Sequence, residues 1–208
     1  METTKRRTTV YIDGFNAYNG MKAAGLRNCR WLDWVAYVSG LVGDDVLTVR
    51  YFTAVVNSPL DARERQSHYL RALRANGGLD IIEGSFMARS MKCPDCGHSW
   101  KRPKEQFTDV NIAIAMTHDA REGSLDRAML ISGDSDLVPA VRYVQDLGIE
   151  VVNVAPPRRK GDELASACDG LLHMDDVAMR KAQLPNPVME SFRGGRKQRP
   201  LHAPEGWT

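Results

Sequence analysis

The sequence predicts an α/β fold of three layers, α/β/α, in which helices cover both faces of a mainly parallel central sheet. Short β-branched segments, flanked by Gly, Asp or Pro, alternate along the chain with longer segments of helical periodicity. The last two strand candidates lack apolar–polar alternation, which is typical of strands that are buried on both faces. Strands that alternate with helices are joined by crossover connections, and these make neighbouring strands parallel.

The elements follow one another in a regular order. Strands are expected at residues 8–12, 46–55, 80–87, 128–131 and 150–153, and helices at residues 32–41, 61–75, 108–121 and 136–147. Thr108 is a suitable N-cap for the third helix. Pro139 falls in the first turn of the fourth helix, where its missing N–H costs little, and Gly148 ends that helix.

Length and composition limit the class of protein. The 208 residues are enough for one substantial core, and 43% apolar with 26% charged residues is ordinary for a globular domain. No apolar stretch approaches the roughly 20 residues needed to span a bilayer, and the first residues lack the apolar core of a signal peptide. Only Cys93 and Cys96 are closely spaced among four cysteines, so we expect a cytoplasmic protein without a disulfide framework.

The charge distribution suggests three parts. Residues 1–7 form a basic N-terminal extension, residues 8–182 the folded domain with a Cys-x-x-Cys hairpin insert at 90–104, and residues 183–208 a flexible basic tail. The tail is predicted from its shift to Pro, Gly, Arg and polar residues. The formal net charge is only +2, and each basic cluster is most simply a solvated face. Combined with an acidic pocket, such clusters suit a polyanionic substrate.

Carboxylates follow two of the predicted strands. The run ISGDSDLV at residues 131–138 and the run VYIDGFN at residues 10–16 each place acids just beyond a β-rich segment, and a third run opens the helix at 108. The candidates are Asp13, Asp109, Asp134 and Asp136. Any one of them alone could simply form a turn or cap a helix. Together, several acids at one sheet edge repel one another unless a cation neutralises them, which favours a Mg²⁺ or Mn²⁺ site.

Two polar residues in the same runs could support that site. Asn16 and Ser132 could orient a bound water or a carboxylate, or could merely cap a helix and form a turn. A divalent ion held by carboxylates lowers the pKa of a bound water and stabilises charge on an attacked phosphate. Carboxylates without a Cys or Ser nucleophile fit direct hydrolysis of a phosphodiester better than a covalent route.

Three motifs in order carry a resemblance to a known family. VYIDGFN at 10–16, TDVNIA at 108–113 and ISGDSDL at 131–137 resemble the NYN domain family, in its LabA-like branch, over about residues 8–175. The resemblance implies a PIN-like nuclease fold, a Mg²⁺ or Mn²⁺ site and action on RNA. It assigns the four aspartates to the family's acidic site, with Asn16 and Ser132 as supporting groups. A later family segment is similar to residues 163–169 and adds Asp169, which could instead cap the next element.

The chain departs from the family pattern at one position. Many relatives place a lysine three residues before the aspartate that corresponds to Asp109, and here that residue is Gln106. Lys104 could replace that lysine, or activity could be weaker. Because a fold hosts both active and inactive members, the resemblance alone does not establish catalysis.

The insert carries a possible zinc motif. The sequence CPDCG at 93–97 lets the Cys93 and Cys96 thiolates bind one Zn²⁺, with His98 as a third ligand. A structural zinc site needs four ligands, and Cys29, His68 or a neighbouring subunit in a homodimer are candidates to complete it. The alternative is a metal-free β-turn. A redox role is disfavoured because the motif lies at a predicted hairpin tip and not between a strand and a helix.

Several residues are candidates for nucleic-acid contacts. Arg63, Arg71 and Arg74 fall on one side of the helix at 61–75. This side could contact phosphates, or it could be an ordinary solvated face. The insert could contact substrate, and its candidate residues are Trp100, Lys101, Arg102 and Lys104. Trp100 and Phe107 could stack on unpaired bases or pack in a core. Trp31 and Trp34 are expected in a core or a subunit interface.

The sequence therefore favours a metal-dependent endoribonuclease that uses carboxylate-bound Mg²⁺ or Mn²⁺ and an activated water, with DNA as a further substrate to test. One alternative is a non-catalytic RNA-binding or regulatory module that keeps the acidic pocket. A small-molecule phosphohydrolase is the other, although the Asp-x-Asp-x-Thr nucleophile motif of one common type is missing after the first strand.

Overall fold

The fold class predicted from the sequence is confirmed. The computed structural model describes residues 5–43, 46–159, 161–192 and 194–208, and the side chains of residues 46, 86–91 and 100–106 lie outside this description. A seven-stranded sheet lies between two layers of helices. No helix in the described ranges is both long and apolar enough to cross a membrane.

The sheet is parallel except at one edge. Its order is β4-β3-β2-β1-β5-β6-β7, and only β4 runs antiparallel to its neighbour. The strands are β1 (Arg7–Asp13), β2 (Val46–Ala54), β3 (Asp80–Lys92), β4 (Ser99–Gln106), β5 (Arg127–Ile131), β6 (Glu150–Ala155) and β7 (Gly170–His173). The third predicted strand is longer than expected because β3 continues into a hairpin with β4, with the Cys-x-x-Cys turn at its tip.

The helices match the predicted ones closely and add three. They are α1 (Gly14–Ala23), α2 (Trp34–Val42), α3 (Leu60–Asn76), α4 (Thr108–Arg121), α5 (Val138–Asp146), α6 (Asp162–Ala167) and α7 (Asp176–Lys181). The helix expected from residue 136 begins instead as a 3-10 turn, Ser135–Leu137. The sequence did not reveal α1 because it packs through small residues: a Cβ at Gly20 would lie 2.6 Å from the Pro157 carbonyl oxygen.

Each face of the sheet has its own core. Val10 and Ile12 of β1 pack with α1, α2, α3 and α7 on one face, while Tyr11 between them packs with α4, α5 and α6 on the other. This burial on both faces is the reason that apolar–polar alternation is weak in the central strands. Trp31 and Trp34 are 0% and 1% exposed, so they belong to the first core.

One carboxylate of α4 is buried between the helix and the sheet. Asp119 is 4% exposed and accepts a hydrogen bond from the Tyr11 hydroxyl at 2.7 Å. Its other oxygen lies 3.0 Å from Arg50 Nη2. The negative charge is thus paired and hydrogen-bonded, which is the condition under which a buried carboxylate is tolerated. Burial, together with this bond, raises the pKa of Tyr11 well above its usual value.

The prediction of a flexible tail from residue 183 is wrong. This segment forms an antiparallel hairpin of β8 (Val188–Phe192) and β9 (Lys197–Leu201) that packs on α3. Four of its apolar side chains enter the first core, namely Leu184, Val188, Leu201 and Trp207. The average composition of the segment is polar, but these four apolar residues are placed so that they contact the core. Composition alone does not show that placement.

Candidate active site at the carboxyl ends of the strands

The two acidic motifs meet because β1 and β5 are adjacent parallel strands. Ile12 lies opposite Ile131, so the residues that follow both strands emerge at the same edge of the sheet. Asp13 is the N-cap of α1, and its Oδ1 accepts a hydrogen bond from the Asn16 amide at 2.9 Å. The buried Ser132 hydroxyl donates to Asp13 Oδ2 at 3.0 Å. The serine therefore orients the first aspartate.

The loop after β5 is held by hydrogen bonds on both sides. The Asp134 amide donates to Ser132 Oγ at 3.1 Å, and Asn16 Oδ1 accepts from the Gly133 amide at 3.3 Å. Behind the loop, the buried Asn153 side chain donates to the Ser132 carbonyl at 2.9 Å. Asn16 and Ser132 therefore hold this loop and the Asp13 carboxylate in place. Asn153 was not recognised from the sequence, because a buried asparagine in a strand has no distinctive pattern.

Three of the four predicted aspartates surround one cavity of about 240 Å³. Asp13 and Asp134 come from the ends of β1 and β5, and Asp109 reaches the cavity from the first turn of α4. The residues of its wall that the structure describes are Asp13, Phe15, Asn16, Asn19, Phe107, Thr108, Asp109, Asp134 and Arg159. Within the described ranges, no three His, Cys, Asp or Glu side chains are arranged so that they could hold one metal ion.

Arg159 supplies a cation to the otherwise acidic cavity. It lies in the loop after β6, and its Nε donates to the Asn16 carbonyl at 3.4 Å. The loop approaches closely because Gly161 lacks a side chain: a Cβ there would lie 2.9 Å from the Gly133 Cα. The sequence showed a basic run at 158–160, but not that it belongs to the site. Its position just after a parallel strand was the signal that could have placed it there.

Two predicted acidic residues are not in the cavity wall. Asp136 is exposed, and its amide donates to Asp134 Oδ1 at 3.0 Å, so it belongs to a helical cap. Asp169 lies at the opposite edge of the sheet, where its carboxylate accepts from the Val151 amide at 2.8 Å. Val151 is at the amino end of β6, so the prediction of Asp169 as a supporting site residue is wrong. Its role is to join β6 to the segment before β7.

The Cys-x-x-Cys turn is folded but does not form a three-ligand zinc set. The Gly97 amide donates to the Cys93 carbonyl at 3.0 Å, and the Cys93 amide donates to the His98 carbonyl at 2.8 Å. Backbone N–H groups of Cys96 and Asp95 lower the pKa of the Cys93 thiol. His98 does not join the two cysteines in a group that could hold a metal.

The two residues considered as further zinc ligands are engaged elsewhere. Cys29 is completely buried in the first core. His68 stacks on Trp31, and its Nε2 is 2.7 Å from the His202 carbonyl oxygen. Both therefore belong to the packing between α3, the core and the C-terminal hairpin. Of the three sources suggested for the missing zinc ligands, only a neighbouring subunit therefore remains.

The arginines predicted to contact nucleic acid differ in whether their side chains are free. Arg71 pairs with Glu190 and Arg74 with Glu83, because the C-terminal hairpin and β3 cover that side of α3, so these two do not form a free phosphate-binding face. Arg63 is exposed. The side chains of Gln106 and of the insert candidates Trp100, Lys101, Arg102 and Lys104 lie outside the described residues.

Phe107 lies at the mouth of the cavity. Its side chain is 54% exposed, and its backbone has a φ of 74°. Positive φ is uncommon for a bulky residue. This conformation places the ring in the cavity wall directly before Thr108 and Asp109. Of the two alternatives raised by the sequence, packing in a core is therefore excluded for Phe107.

Comparisons with known proteins match this chain to a solved structure, a curated relative and a domain family. A crystal structure of VPA0982, a protein of unknown function from Vibrio parahaemolyticus, matches with a TM-score of 0.57 and 21% identity, covering 85% of this chain and 97% of that one. A curated relative, 6-hydroxy-3-succinoylpyridine 3-monooxygenase HspA from Pseudomonas putida, is 25% identical over 252 aligned positions, covering 100% of this chain and 77% of the relative. The NYN domain profile matches residues 7–175. The chain therefore belongs to the NYN domain family.

Proposed function

We propose that this protein is a metal-dependent endoribonuclease that hydrolyses RNA phosphodiesters in the cavity between β1, β5 and α4. One observation carries the proposal: aspartates from three separate segments, Asp13, Asp109 and Asp134, surround a single cavity at the carboxyl ends of a NYN-family sheet. The family membership supports nuclease chemistry, and the motif resemblance to the LabA-like branch supports these three aspartates as the acidic site.

The oxygen donors of the cavity are of the type that suits Mg²⁺ or Mn²⁺, because hard cations prefer carboxylate oxygens. The three carboxylates are not gathered around one point in this structure, so Asp13, Asp109 and Asp134 would hold the ion once they draw together around it. Asp13 Oδ1 accepts from the Asn16 amide and Oδ2 accepts from the Ser132 hydroxyl, and these bonds fix the direction of its carboxylate. When bound, such an ion supplies an activated water and stabilises negative charge on phosphate. Ser132 and Asn16 hold the carboxylates and the loop in position.

The other wall residues suit an RNA backbone with unpaired bases. The Arg159 guanidinium can donate paired hydrogen bonds to phosphate oxygens next to the aspartates. The exposed Phe107 ring can stack on a base, a contact that every nucleobase can make. Together they would hold one nucleotide across the cavity, with its phosphate towards Arg159.

The proposal predicts cleavage of single-stranded RNA that depends on added Mg²⁺ or Mn²⁺. We expect fluorescently labelled RNA to be cut with either ion and to stay intact with EDTA, because the carboxylates alone supply neither an activated water nor positive charge. Single-stranded DNA of the same sequence tests whether the protein distinguishes ribose from deoxyribose in its substrate. RNA binding without cleavage under any metal condition would contradict the proposal and support a non-catalytic binding module.

We also propose that the Cys-x-x-Cys turn binds zinc, with a second copy of the chain supplying the remaining ligands. The backbone N–H groups that lower the pKa of Cys93 favour its thiolate, the form that binds Zn²⁺. Two turns together provide four thiolates, which would make the zinc site a dimer contact.

Metal analysis tests this second proposal. We expect about one zinc per two chains in protein purified without chelator, and loss of zinc and of the dimer in Cys96→Ser. Cys168→Ser is the matched control, because Cys168 is a free, half-buried thiol away from the turn. Zinc-free wild-type protein, or full zinc content in Cys96→Ser, would exclude the site.

A further inference from the structure

A second cavity of about 320 Å³ lies between α1, α3 and the C-terminal segment. It shares Phe15 and Asn19 with the acidic cavity, so the two cavities adjoin along α1. Its wall is rich in aromatic rings, contributed by Tyr18, Trp34, Tyr51, Tyr69 and Trp207. Trp207 packs against Tyr18 and Tyr69, with centroid distances of 6.1 and 5.7 Å. The segment expected to be a flexible tail thus supplies one wall.

Arg30 is a buried cation in this aromatic wall. Its side chain is only 8% exposed, and its guanidinium lies 5.0 Å from the centre of the Tyr18 ring. Nε is buried and has no hydrogen-bond partner, and among the residues that the structure describes no carboxylate forms an ion pair with Arg30. Burial lowers the pKa of this guanidinium. Keeping an unpaired charge in such a place is costly, which indicates a role beyond packing.

Several neighbouring polar groups of the wall have partners within the protein, whereas Trp34 Nε1 is buried without one among the described residues. Gln66 accepts from the Val56 amide at 2.7 Å and donates to the Ala54 carbonyl at 2.8 Å. The Tyr69 hydroxyl donates to the Leu32 carbonyl at 2.7 Å. Arg65 pairs with Asp61 at 2.8 Å. Among the charged side chains of the wall that the structure describes, Arg30 is the buried one, and it has no paired carboxylate.

We infer that this cavity binds a ligand with a planar aromatic ring and an attached anionic group. The ring would stack among Tyr18, Trp34 and Trp207, and the anion would pair with Arg30. The volume lies within the range of small-molecule sites, about 300–1,000 Å³. A nucleotide has this chemistry through its base and phosphate, and so does a free aromatic carboxylic acid. The inference does not depend on the proposed nuclease activity.

Binding of small-molecule probes to the full-length protein tests the inference. It also distinguishes a nucleotide from a free aromatic carboxylic acid as the ligand. Trp34 and Trp207 line the cavity, so tryptophan fluorescence reports occupancy, with calorimetry as a second measurement. The ring-plus-anion probes are AMP and 6-hydroxynicotinate. Ribose 5-phosphate has the anion without the ring, and nicotinamide has the ring without the anion. We expect one of the first pair to bind at least about tenfold more tightly than either of the second.

Substitutions in the cavity wall test whether the probes bind in this cavity. Arg30→Met, which preserves much of the side-chain volume, is expected to weaken binding about 10- to 100-fold while the free protein melts at the same or a higher temperature. Arg27→Met is the control, since Arg27 is exposed and is not part of the wall. If Arg30→Met does not fold, Ala62→Phe fills the cavity from α3 without altering the charge and should also weaken binding.

Three outcomes would overturn the inference. These are absence of binding by both ring-plus-anion probes, equal binding of the probes that lack a ring or an anion, and wild-type affinity in the folded variants. Because the readout is binding and not cleavage, an inactive nuclease with an intact aromatic cavity is distinguishable from an active nuclease whose aromatic cavity binds nothing.

Discussion

Replacing Asp134 by Asn is expected to reduce RNA cleavage at least about 100-fold while the protein keeps its fold. Asp134 lies in the cavity wall, where it would contribute a negatively charged ligand to Mg²⁺ or Mn²⁺. Its structural role survives the change, because Oδ1 accepts from the Asp136 amide and the oxygen of an asparagine can accept the same bond. The loss is therefore of charge, and we expect the stability to change by less than about 1 kcal/mol.

Initial cleavage rates at saturating Mn²⁺, together with thermal melting, measure this effect. Asp175→Asn is the matched control: Asp175 caps α7 by accepting from the Ala178 amide at 2.7 Å, and it is outside the cavity wall. It makes the same kind of bond as Asp134 without contributing to the site. Equal rates in the wild type and in Asp134→Asn would show that the proposed site is wrong. A similar loss in Asp175→Asn would show that the loss has a structural cause.

Deletion of residues 183–208 is expected to unfold the protein or to make it insoluble. Four buried apolar side chains would be lost from the first core, those of Leu184, Val188, Leu201 and Trp207. At about 1.5–3 kcal/mol for each, they contribute roughly 6–12 kcal/mol, which is comparable to the whole stability of a typical domain. The deletion also removes Glu190, whose pKa is lowered to about 2 by the Arg71 and Arg199 guanidinium groups.

Circular dichroism melting of the full-length and truncated proteins checks this prediction. Met189→Ser is the control within the hairpin, because Met189 is 47% exposed on the outer side of β8, and we expect it to change stability by less than about 0.5 kcal/mol. A truncated protein that melts within a few degrees of the full-length one would contradict the packing described above. It would restore the interpretation of this segment as a dispensable tail.

The sequence by itself determined the layered α/β fold and the meeting of the two main acidic motifs. Local periodicity distinguishes strands from helices, and the carboxyl ends of adjacent parallel strands must share an edge of the sheet. The sequence alone therefore places Asp13 and Asp134 together. Asp109 followed from its position at the first turn of a helix that begins at the same edge.

The sequence was less informative where similar residues have different long-range partners. Asp134 and Asp136 are two residues apart, yet only Asp134 enters the cavity wall, because the 3-10 turn directs the second side chain to solvent. Asp169 resembled a site residue in sequence but lies at the amino end of β6. In each case the side chain's direction depends on a backbone turn that has no periodic signature.

Only the tertiary structure decided the role of the C-terminal segment and of Arg30. The apolar residues of that segment are too few to form a core of their own, and they become buried only because α3 offers a matching surface. Arg30 resembles any other arginine in the sequence until Trp207, almost at the far end of the chain, encloses it with Tyr18 in one aromatic wall. Contacts between residues so far apart in the sequence depend on how the helices and strands pack together. Local sequence patterns do not predict that packing.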